Sequence, residues 1–187
     1  MTPTLRERAH QHARDLGFTL SSNDTVGRLL AVLAAAVPSG GRILELGTGT
    51  GVGTAALVAG LGGRTDATVT SVEYDEAVAA RAADNAWPSY VALRTGDAVE
   101  LLPGLGTFHL VYADAPGGKW TGLDLTIAAL EPGGVLLVDD MTPLDRWSDE
   151  HRVNQAAVRE TLVTHPDLLT CELADGEGLV LCTRRAG

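Results

Sequence analysis

A run of glycines directly after a short apolar segment constrains the fold of this chain more than any other feature. The segment Arg42-Ile-Leu-Glu-Leu46 leads into glycine at every second position, namely Gly47, Gly49, Gly51 and Gly53. Glycine lets the backbone turn sharply and approach a ligand closely. A helix predicted over 52–61 would point its free N-terminal amide groups at the same place. The pattern therefore predicts a buried strand, a ligand-binding turn and a helix.

The spacing of these glycines differs from that of two common nucleotide-binding motifs. A dinucleotide fingerprint requires Gly-x-Gly-x-x-Gly or Ala, and here Val52 and Thr54 occupy the last position of the two possible frames. A P-loop requires Gly-Lys followed by Ser or Thr, and the run has no such lysine. The turn is therefore expected to hold a different kind of ligand.

From Arg42 onward, apolar segments and helical patterns alternate, as is typical of a parallel sheet with crossover helices. Strands are predicted near 42–46, 68–73, 90–95, 108–113, 134–139, 168–174 and 178–184. Helices are predicted near 52–61, 75–86, 98–103, 122–131 and 149–164. The link Asp-Gly-Glu-Gly between the last two strands is too short for a crossover, so these strands are expected to be antiparallel to each other.

Two further helices are predicted before the sheet, over 5–16 and from about Ser22 to Val37. They are expected to form a helical cap within residues 1–40, with residues 41–187 as a Rossmann-like core. A length of 187 residues suits one domain with one sizeable core.

Composition restricts the partners of the chain. A net charge of −10 argues against binding to a nucleic acid backbone. The longest apolar run, Leu29–Val37, has nine residues, whereas about 20 are needed to cross a bilayer. The first residues also lack the apolar core of a signal peptide, so we expect a cytoplasmic protein without a membrane partner.

Acidic residues stand where the predicted strands end, which is the edge at which doubly wound sheets bind ligands. Glu73 ends the second strand, and a carboxylate there can accept both hydroxyls of a ribose. Asp97 follows the third strand. It either contacts the ligand or is only the N-cap of the next helix. Asp114 follows the fourth strand, and Asp139 and Asp140 follow the fifth.

The segment Glu45-x-Gly47-x-Gly49-x-Gly51 resembles motif I of the class I S-adenosylmethionine-dependent methyltransferases. The resemblance covers residues 22–185 and implies an α/β fold, a Rossmann-like, doubly wound and mostly parallel seven-stranded sheet with an antiparallel last strand. It also implies S-adenosyl-L-methionine as the cofactor, with Glu73 at the ribose and Asp97 and Ala98 at the adenine. The cofactor-binding residues that it implies are Glu45, Gly47, Thr48, Gly49, Gly51, Gly53, Glu73, Tyr74, Asp97, Ala98 and Asp114.

A narrower resemblance is to the divalent-cation-dependent catechol and caffeoyl-coenzyme A type O-methyltransferases, which have Asp and Lys after the fourth strand and Asp-Asn after the fifth. Three close carboxylates repel one another unless a cation or protons intervene, so Asp114, Asp139 and Asp140 are the expected ligands of Mg²⁺ or another divalent cation. Two features depart from the family pattern. Asp140 replaces the usual Asn, and the segment 116–118 lengthens the link to Lys119.

The expected reaction is the transfer of a methyl group to a hydroxyl group of a small molecule. A metal would lower the pKa of that hydroxyl, and Lys119, together with Asp114, would complete the catalytic set, with Lys119 as the base. Alternatively, Lys119 is an exposed loop residue and the acids only cap loops or contact the cofactor. Trp120 and Trp147 are predicted either to wall the acceptor pocket or to pack in the protein.

Three other functions are compatible with the pattern. The segment Asp114-Ala-Pro116 stands where amine-methylating relatives carry an acid or amide followed by prolines, which suggests an N-methyltransferase. The second is an aminopropyltransferase that uses decarboxylated S-adenosylmethionine, and the third is a cofactor-binding module without catalysis. A chain of this length has no separate substrate domain, so a second copy in a homodimer could complete an open pocket.

Overall fold

The computed structural model describes residues 2–174 and 177–186. It contains one sheet with these strands: β1 (Arg42–Leu46), β2 (Thr68–Glu73), β3 (Val91–Thr95), β4 (Phe108–Ala113), β5 (Leu130–Val138), β6 (Leu168–Leu173) and β7 (Leu179–Arg184). The helices are α1 (Leu5–Leu16), α2 (Asp24–Ala36), α3 (Val52–Leu61), α4 (Glu76–Ala83), α5 (Ala98–Leu105), α6 (Leu123–Ala128) and α7 (Asp149–Thr164). The first two residues of the predicted link between the last strands, 175 and 176, lie outside the described residues.

The sheet has the strand order β3-β2-β1-β4-β5-β7-β6. Neighbouring strands among β1 to β5 pair in parallel, whereas β7 lies antiparallel between β5 and β6. The predicted doubly wound sheet with an antiparallel last strand is therefore confirmed. The chain order reverses between β1 and β4, and this switch point is where such sheets bind ligands.

Successive residues of β1 supply apolar cores on the two faces of the sheet. Leu44 and Leu46 pack with residues of α5, α6 and α7, whereas Ile43 packs with residues of α2 and α3. This alternation follows from the pleat of a strand, whose side chains point to opposite faces in turn. On the second face, a Cβ at Gly60 would overlap the carbonyl oxygen of Ala31. The backbones of α3 and α2 can therefore approach each other closely.

The fifth strand begins earlier than the sequence pattern indicates. We expected a helix to residue 131 and a strand from 134, but α6 ends at Ala128 and β5 starts at Leu130. The register shifts from the pair Phe108–Leu130 to the pair Leu110–Val135, and Gly133 has a φ of 79° within the shift. A β-bulge at Pro and Gly positions explains how the strand continues through residues that usually end one.

Within 2–174 and 177–186, the helices are too short or too polar to span a lipid bilayer.

Candidate active site

The glycine run forms a tight loop between β1 and α3. The N–H groups of Gly47 and Thr48 donate to the carbonyl oxygen of Val72, at 2.9 and 3.1 Å, which ties the loop to the end of β2. Gly47 has a φ of 102°, and a Cβ there would lie 2.8 Å from the carbonyl oxygen of Asp114. Only glycine fits this position, because both the conformation and the space exclude a side chain.

Glu45 supports the loop from inside the protein. Its side chain is fully buried and accepts hydrogen bonds from the hydroxyl groups of Thr54 and Ser71, the latter at 2.5 Å. The Ser71 hydroxyl also lies 2.6 Å from that of Thr48 in the loop. Burial raises the pKa of Glu45 to about 7. Glu45 therefore holds the loop through hydroxyl groups and does not face an open cavity.

A cavity of about 170 Å³ lies over the loop at the switch point of the sheet. Among the predicted cofactor residues, the following line it: Gly47, Thr48, Gly49, Gly53, Glu73, Tyr74 and Asp114. The Glu73 carboxylate accepts the N–H groups of Gly49 at 2.8 Å and Asp75 at 3.0 Å, one on each oxygen. Each oxygen retains capacity for a further hydrogen bond, so the carboxylate is fixed in place and can still accept ribose hydroxyls.

The predicted adenine residues lie at the start of α5. Asp97 is the N-cap of this helix, and its Oδ1 accepts the N–H of Val99 at 2.8 Å. The same carboxylate oxygen would lie 3.5 Å from a Cβ at Gly117. Asp97 and Ala98 are not among the described residues that line this cavity over the glycine loop. The capping role is thus present, and the adenine role stays a prediction.

The segment between α1 and α2 closes the cavity from the side, and individual residues of it were not anticipated. The cavity is lined there by Phe18, Leu20, Ser21 and Ser22. A Cβ at Gly49 would lie 3.1 Å from the Phe18 ring, so this ring sits directly against the loop. The segment has no periodic pattern, and only the predicted helical cap within residues 1–40 pointed to it.

Beyond the ends of β4 and β5, Lys119 lies among three carboxylates. Its side chain is 1% exposed, and its Nζ is 2.6 Å from Asp140 Oδ2 and 3.9 Å from Asp114 Oδ1. The same nitrogen donates to the carbonyl oxygen of Asp139 at 3.3 Å and lies 4.4 Å from the centre of the Trp120 ring. The structure therefore does not support the alternative in which Lys119 is an exposed loop residue.

The longer link before Lys119 folds back on itself, which explains how the lysine reaches the carboxylates. The carbonyl oxygen of Pro116 accepts the N–H groups of Lys119, Trp120 and Thr121, at 3.3, 2.8 and 3.1 Å. Gly118 has a φ of 86°, which glycine adopts without steric cost. The extra residues thus form a compact turn, and the lysine remains close to Asp114.

Tyr112 is a site residue that the sequence did not reveal. Its buried hydroxyl lies 2.9 Å from both Asp114 Oδ2 and Asp139 Oδ2, and 3.0 Å from Ser22 Oγ. Burial raises the pKa of Tyr112 well above its ordinary range and also raises the pKa values of Asp114 and Asp139. Its position two residues before Asp114 on a strand, and so on the same face, was the available signal.

A larger cavity of about 670 Å³ adjoins the first and shares five lining residues with it, among them Ser22 and Asp114. This volume lies within the range of about 300–1,000 Å³ that is usual for small-molecule sites. Lys119 and the carboxylates of Asp139 and Asp140 line it, as do three aromatic side chains: Trp120, Trp147 and His151. The prediction that both tryptophans wall a pocket agrees with this arrangement.

His151 lies between the two tryptophans and was not anticipated as a site residue. Its ring centre is 5.1 Å from that of Trp120 and 4.2 Å from that of Trp147. Ser148 caps α7 by accepting the N–H of His151 at 3.1 Å, which sets the position of this residue in the first helical turn. The sequence signal was weak, because a histidine at a helix start has many other uses.

The carboxylates do not fit the divalent cation that the resemblance implied. Across 2–174 and 177–186, no three side chains of His, Cys, Asp or Glu are grouped so that they could hold a metal ion. Asp114 and Asp139 both turn an oxygen to Tyr112, while Asp140 turns one to Lys119. The set of Asp114, Asp139 and Asp140 as metal ligands remains an untested prediction, and the geometry speaks against it.

A protein-family model described as a methyltransferase domain matches residues 44–141, which is more than half of the chain. The chain belongs to this methyltransferase family. The matched part begins in β1 and ends at Met141, so it includes the glycine loop, Glu73 and the carboxylates around Lys119. The methyltransferase resemblance that motif I indicated is thereby confirmed.

Solved structures with the same fold cover nearly the whole methyltransferase. Cofactor-bound Rv0187 from MTB has 25% identity and a TM-score of 0.82, with 96% of this chain and 88% of that chain covered. An O-methyltransferase from Bacillus cereus in complex with SAH has 23% identity and a TM-score of 0.84, covering 99% and 92%. TomG from Streptomyces achromogenes, an O-methyltransferase involved in tomaymycin synthesis and solved with SAM, has 22% identity and a TM-score of 0.81, covering 99% and 91%. No curated protein sequence matches the chain.

Proposed function

We propose that this methyltransferase transfers a methyl group from S-adenosylmethionine (SAM) to a hydroxyl group of a small molecule. The observation that carries the proposal is the pair of adjoining cavities that share Ser22 and Asp114. The smaller cavity is lined by the glycine loop and Glu73, and the larger one is lined by aromatic and charged side chains. Two of the similar structures, from Bacillus cereus and Streptomyces achromogenes, are O-methyltransferases with SAH or SAM bound.

The smaller cavity suits the ribose and methionine parts of the cofactor. SAM supplies an electrophilic methyl group on a positively charged sulfonium and leaves as S-adenosylhomocysteine (SAH). The free capacity of the Glu73 carboxylate suits the ribose hydroxyls, and Gly47 and Gly49 of the loop line the same cavity, where the rest of the molecule would lie. We assign the adenine to Asp97 and Ala98 at the start of α5.

The larger cavity suits the acceptor and its deprotonation. In the reaction the acceptor oxygen forms a bond to the methyl carbon, the methyl–sulfur bond breaks with its electron pair remaining on sulfur, and the hydroxyl proton must pass to a base. The 2.6 Å contact between Lys119 and Asp140 pairs an ammonium with a carboxylate. An ammonium cannot accept a proton, so we move the role of base from Lys119, where the sequence predicted it, to Asp140, whose side chain is 29% exposed, and give Lys119 the role of fixing that carboxylate.

We extend the proposal to the setting of the enzyme. The acceptor is a small molecule, because the cavity has the corresponding size and the net charge of −10 disfavours nucleic acid. The cytoplasm is the proposed location, without a membrane partner. The larger cavity is bordered by the ion pair of Arg146 and Glu177, and a second copy of the chain could cover this border in a homodimer.

Calorimetric titration with SAH tests the cofactor assignment. We expect micromolar binding by the unaltered protein and a loss of at least roughly tenfold in affinity for Glu73→Ala, because hydrogen bonds to a charged group are worth about 1.5–3 kcal/mol. Glu76→Ala is the matched control, since Glu76 is an exposed acid three residues further along the chain. Equal affinities of both variants would contradict the assignment of Glu73 to the ribose.

Turnover with SAM and panels of phenols, aliphatic alcohols and amines tests the reaction. Methylation of a hydroxyl acceptor is the expected result. Methylation of amines alone would instead support the N-methyltransferase, and reaction only with decarboxylated SAM would support aminopropyl transfer. SAH binding without turnover on any member of the panels would support a binding module.

A further inference from the structure

Five of the six carboxylate oxygens of Asp114, Asp139 and Asp140 lie close to a donor group within the protein. Lys119 Nζ lies 2.6 Å from Asp140 Oδ2 and faces Asp114 Oδ1 at 3.9 Å. The Tyr112 hydroxyl lies 2.9 Å from the second oxygen of Asp114 and from one oxygen of Asp139. The other oxygen of Asp139 accepts the N–H of Asp140 at 2.8 Å. Only Asp140 Oδ1 is left without one of these contacts.

We propose that Lys119 is the resident cation of this site and that methyl transfer here requires no divalent metal ion. The lysine is 1% exposed, so its ammonium is placed among the carboxylates and not in solvent. Carboxylates at the ends of neighbouring strands repel one another unless protons neutralise them or they share an opposite charge. A buried ammonium with three oxygen contacts supplies it from the chain itself.

The two departures from the metal-dependent pattern compensate each other in this arrangement. The link through Pro116 and Gly118 folds into a turn that directs Lys119 inward. Asp140, which replaces the usual Asn, provides the carboxylate that the lysine contacts most closely. Asp140 has a φ of 62°, a conformation that Asn and Asp tolerate about equally, so backbone geometry does not explain the choice of Asp. The contact with Lys119 does explain it.

Metal binding distinguishes this proposal from the metal-dependent mechanism without relying on turnover. Titration with Mn²⁺ at pH 8 in the presence of SAH should give no heat with the unaltered protein. Lys119→Met removes the charge while keeping a long side chain, and it should bind Mn²⁺ at least roughly tenfold more tightly, because the ammonium that competes with a metal ion for the carboxylates is gone. Arg146→Met is the control, since it removes a cation from the rim of the same cavity and should not create binding.

Each outcome decides the proposal. The proposal would be overturned if the unaltered protein bound Mn²⁺ as tightly as Lys119→Met does. It would also be overturned if neither protein bound Mn²⁺, because Lys119 would then not occupy the place of a cation. If Lys119→Met does not fold, Lys119→Met/Asp140→Asn offers the same test with one negative charge fewer. Unchanged SAH binding after chelation with EDTA is the further expected result. The SAH titration itself reports on the proposed function, which this inference assumes, so the two can fail separately.

Discussion

At the scale of single residues, burial determines the pH at which Glu45 loses its proton. Its carboxyl group is fully enclosed, and its pKa rises from an ordinary 4.5 to about 7. Between these two pH values the folded protein therefore binds more protons than the unfolded chain. The stabilisation from protonated Glu45 is complete below about pH 4.5 and is lost as the pH rises through 7.

Glu45→Gln tests this linkage. A pKa difference of this size corresponds to about 3 kcal/mol of stability lost between pH 4.5 and pH 8, and glutamine cannot show that loss. We expect the free energy of unfolding in urea to fall less steeply with pH for the variant than for the unaltered protein. Glu100→Gln, at an exposed site, should keep the original slope. Parallel pH profiles for Glu45→Gln and the unaltered protein would contradict the elevated pKa.

Tyr112 is the second residue whose role depends on its surroundings. Tyr112→Phe leaves the ring in place and removes the hydroxyl that contacts Ser22, Asp114 and Asp139. Because the hydroxyl's hydrogen bond to a buried carboxylate is lost, we expect the free energy of unfolding to fall by about 1–3 kcal/mol. Tyr74→Phe is the control, since this residue is 75% exposed and should change stability little. Urea unfolding measures both, and equal effects would argue against the buried contacts.

At the scale of elements, the turn between β4 and α6 controls the position of Lys119. Three N–H groups converge on the carbonyl oxygen of Pro116, and the hydroxyl of Thr126 in α6 donates to the carbonyl oxygen of Gly118 at 2.7 Å. The turn is therefore attached to a helix that packs in the core. These hydrogen bonds give Lys119 a defined position although it lies in a loop.

Gly118→Ala tests the importance of this turn. A Cβ at this position would overlap the Leu46 side chain and lie 3.0 Å from the Thr126 hydroxyl, in a residue with a φ of 86°. Gly63→Ala is the matched control, because Gly63 has a φ of 89° but no atom within 4 Å of the added group. Both should lose about 1–2 kcal/mol to backbone strain. Only Gly118→Ala should lose more in urea unfolding and also lose turnover, and equal losses would show that the turn is not tightly packed.

At the scale of the whole molecule, the sheet topology brings separate segments to one edge. The reversal between β1 and β4 opens the crevice, and Asp114 lies where the smaller cavity meets the larger one. The segment between α1 and α2 closes both cavities from one side, and its Ser22 lines both of them. The two proposed reactants can therefore meet without a separate substrate domain.

Local pattern by itself determined the strands, the glycine loop and the acids at the strand ends. Most strand and helix boundaries follow from apolar spacing, caps and glycines, which act over a few residues. The prediction failed at the start of β5, because pairing with β4 extends that strand through Pro132 and Gly133. Glu73 and the loop were predictable because a βαβ unit places them together in any sequence that forms it.

Tertiary structure alone decided which charges meet. The pairing of Lys119 with Asp140, the contact of Tyr112 with Asp139 and that of His151 with Trp120 join residues that are more than 20 positions apart in the chain. Side-chain reach and the path of each loop set these contacts, and neither is encoded in residue spacing. The sequence predicted that three carboxylates would lie close together and would need a cation. Only the fold, in which the link after β4 turns inward, showed that Lys119 of the same chain lies next to them.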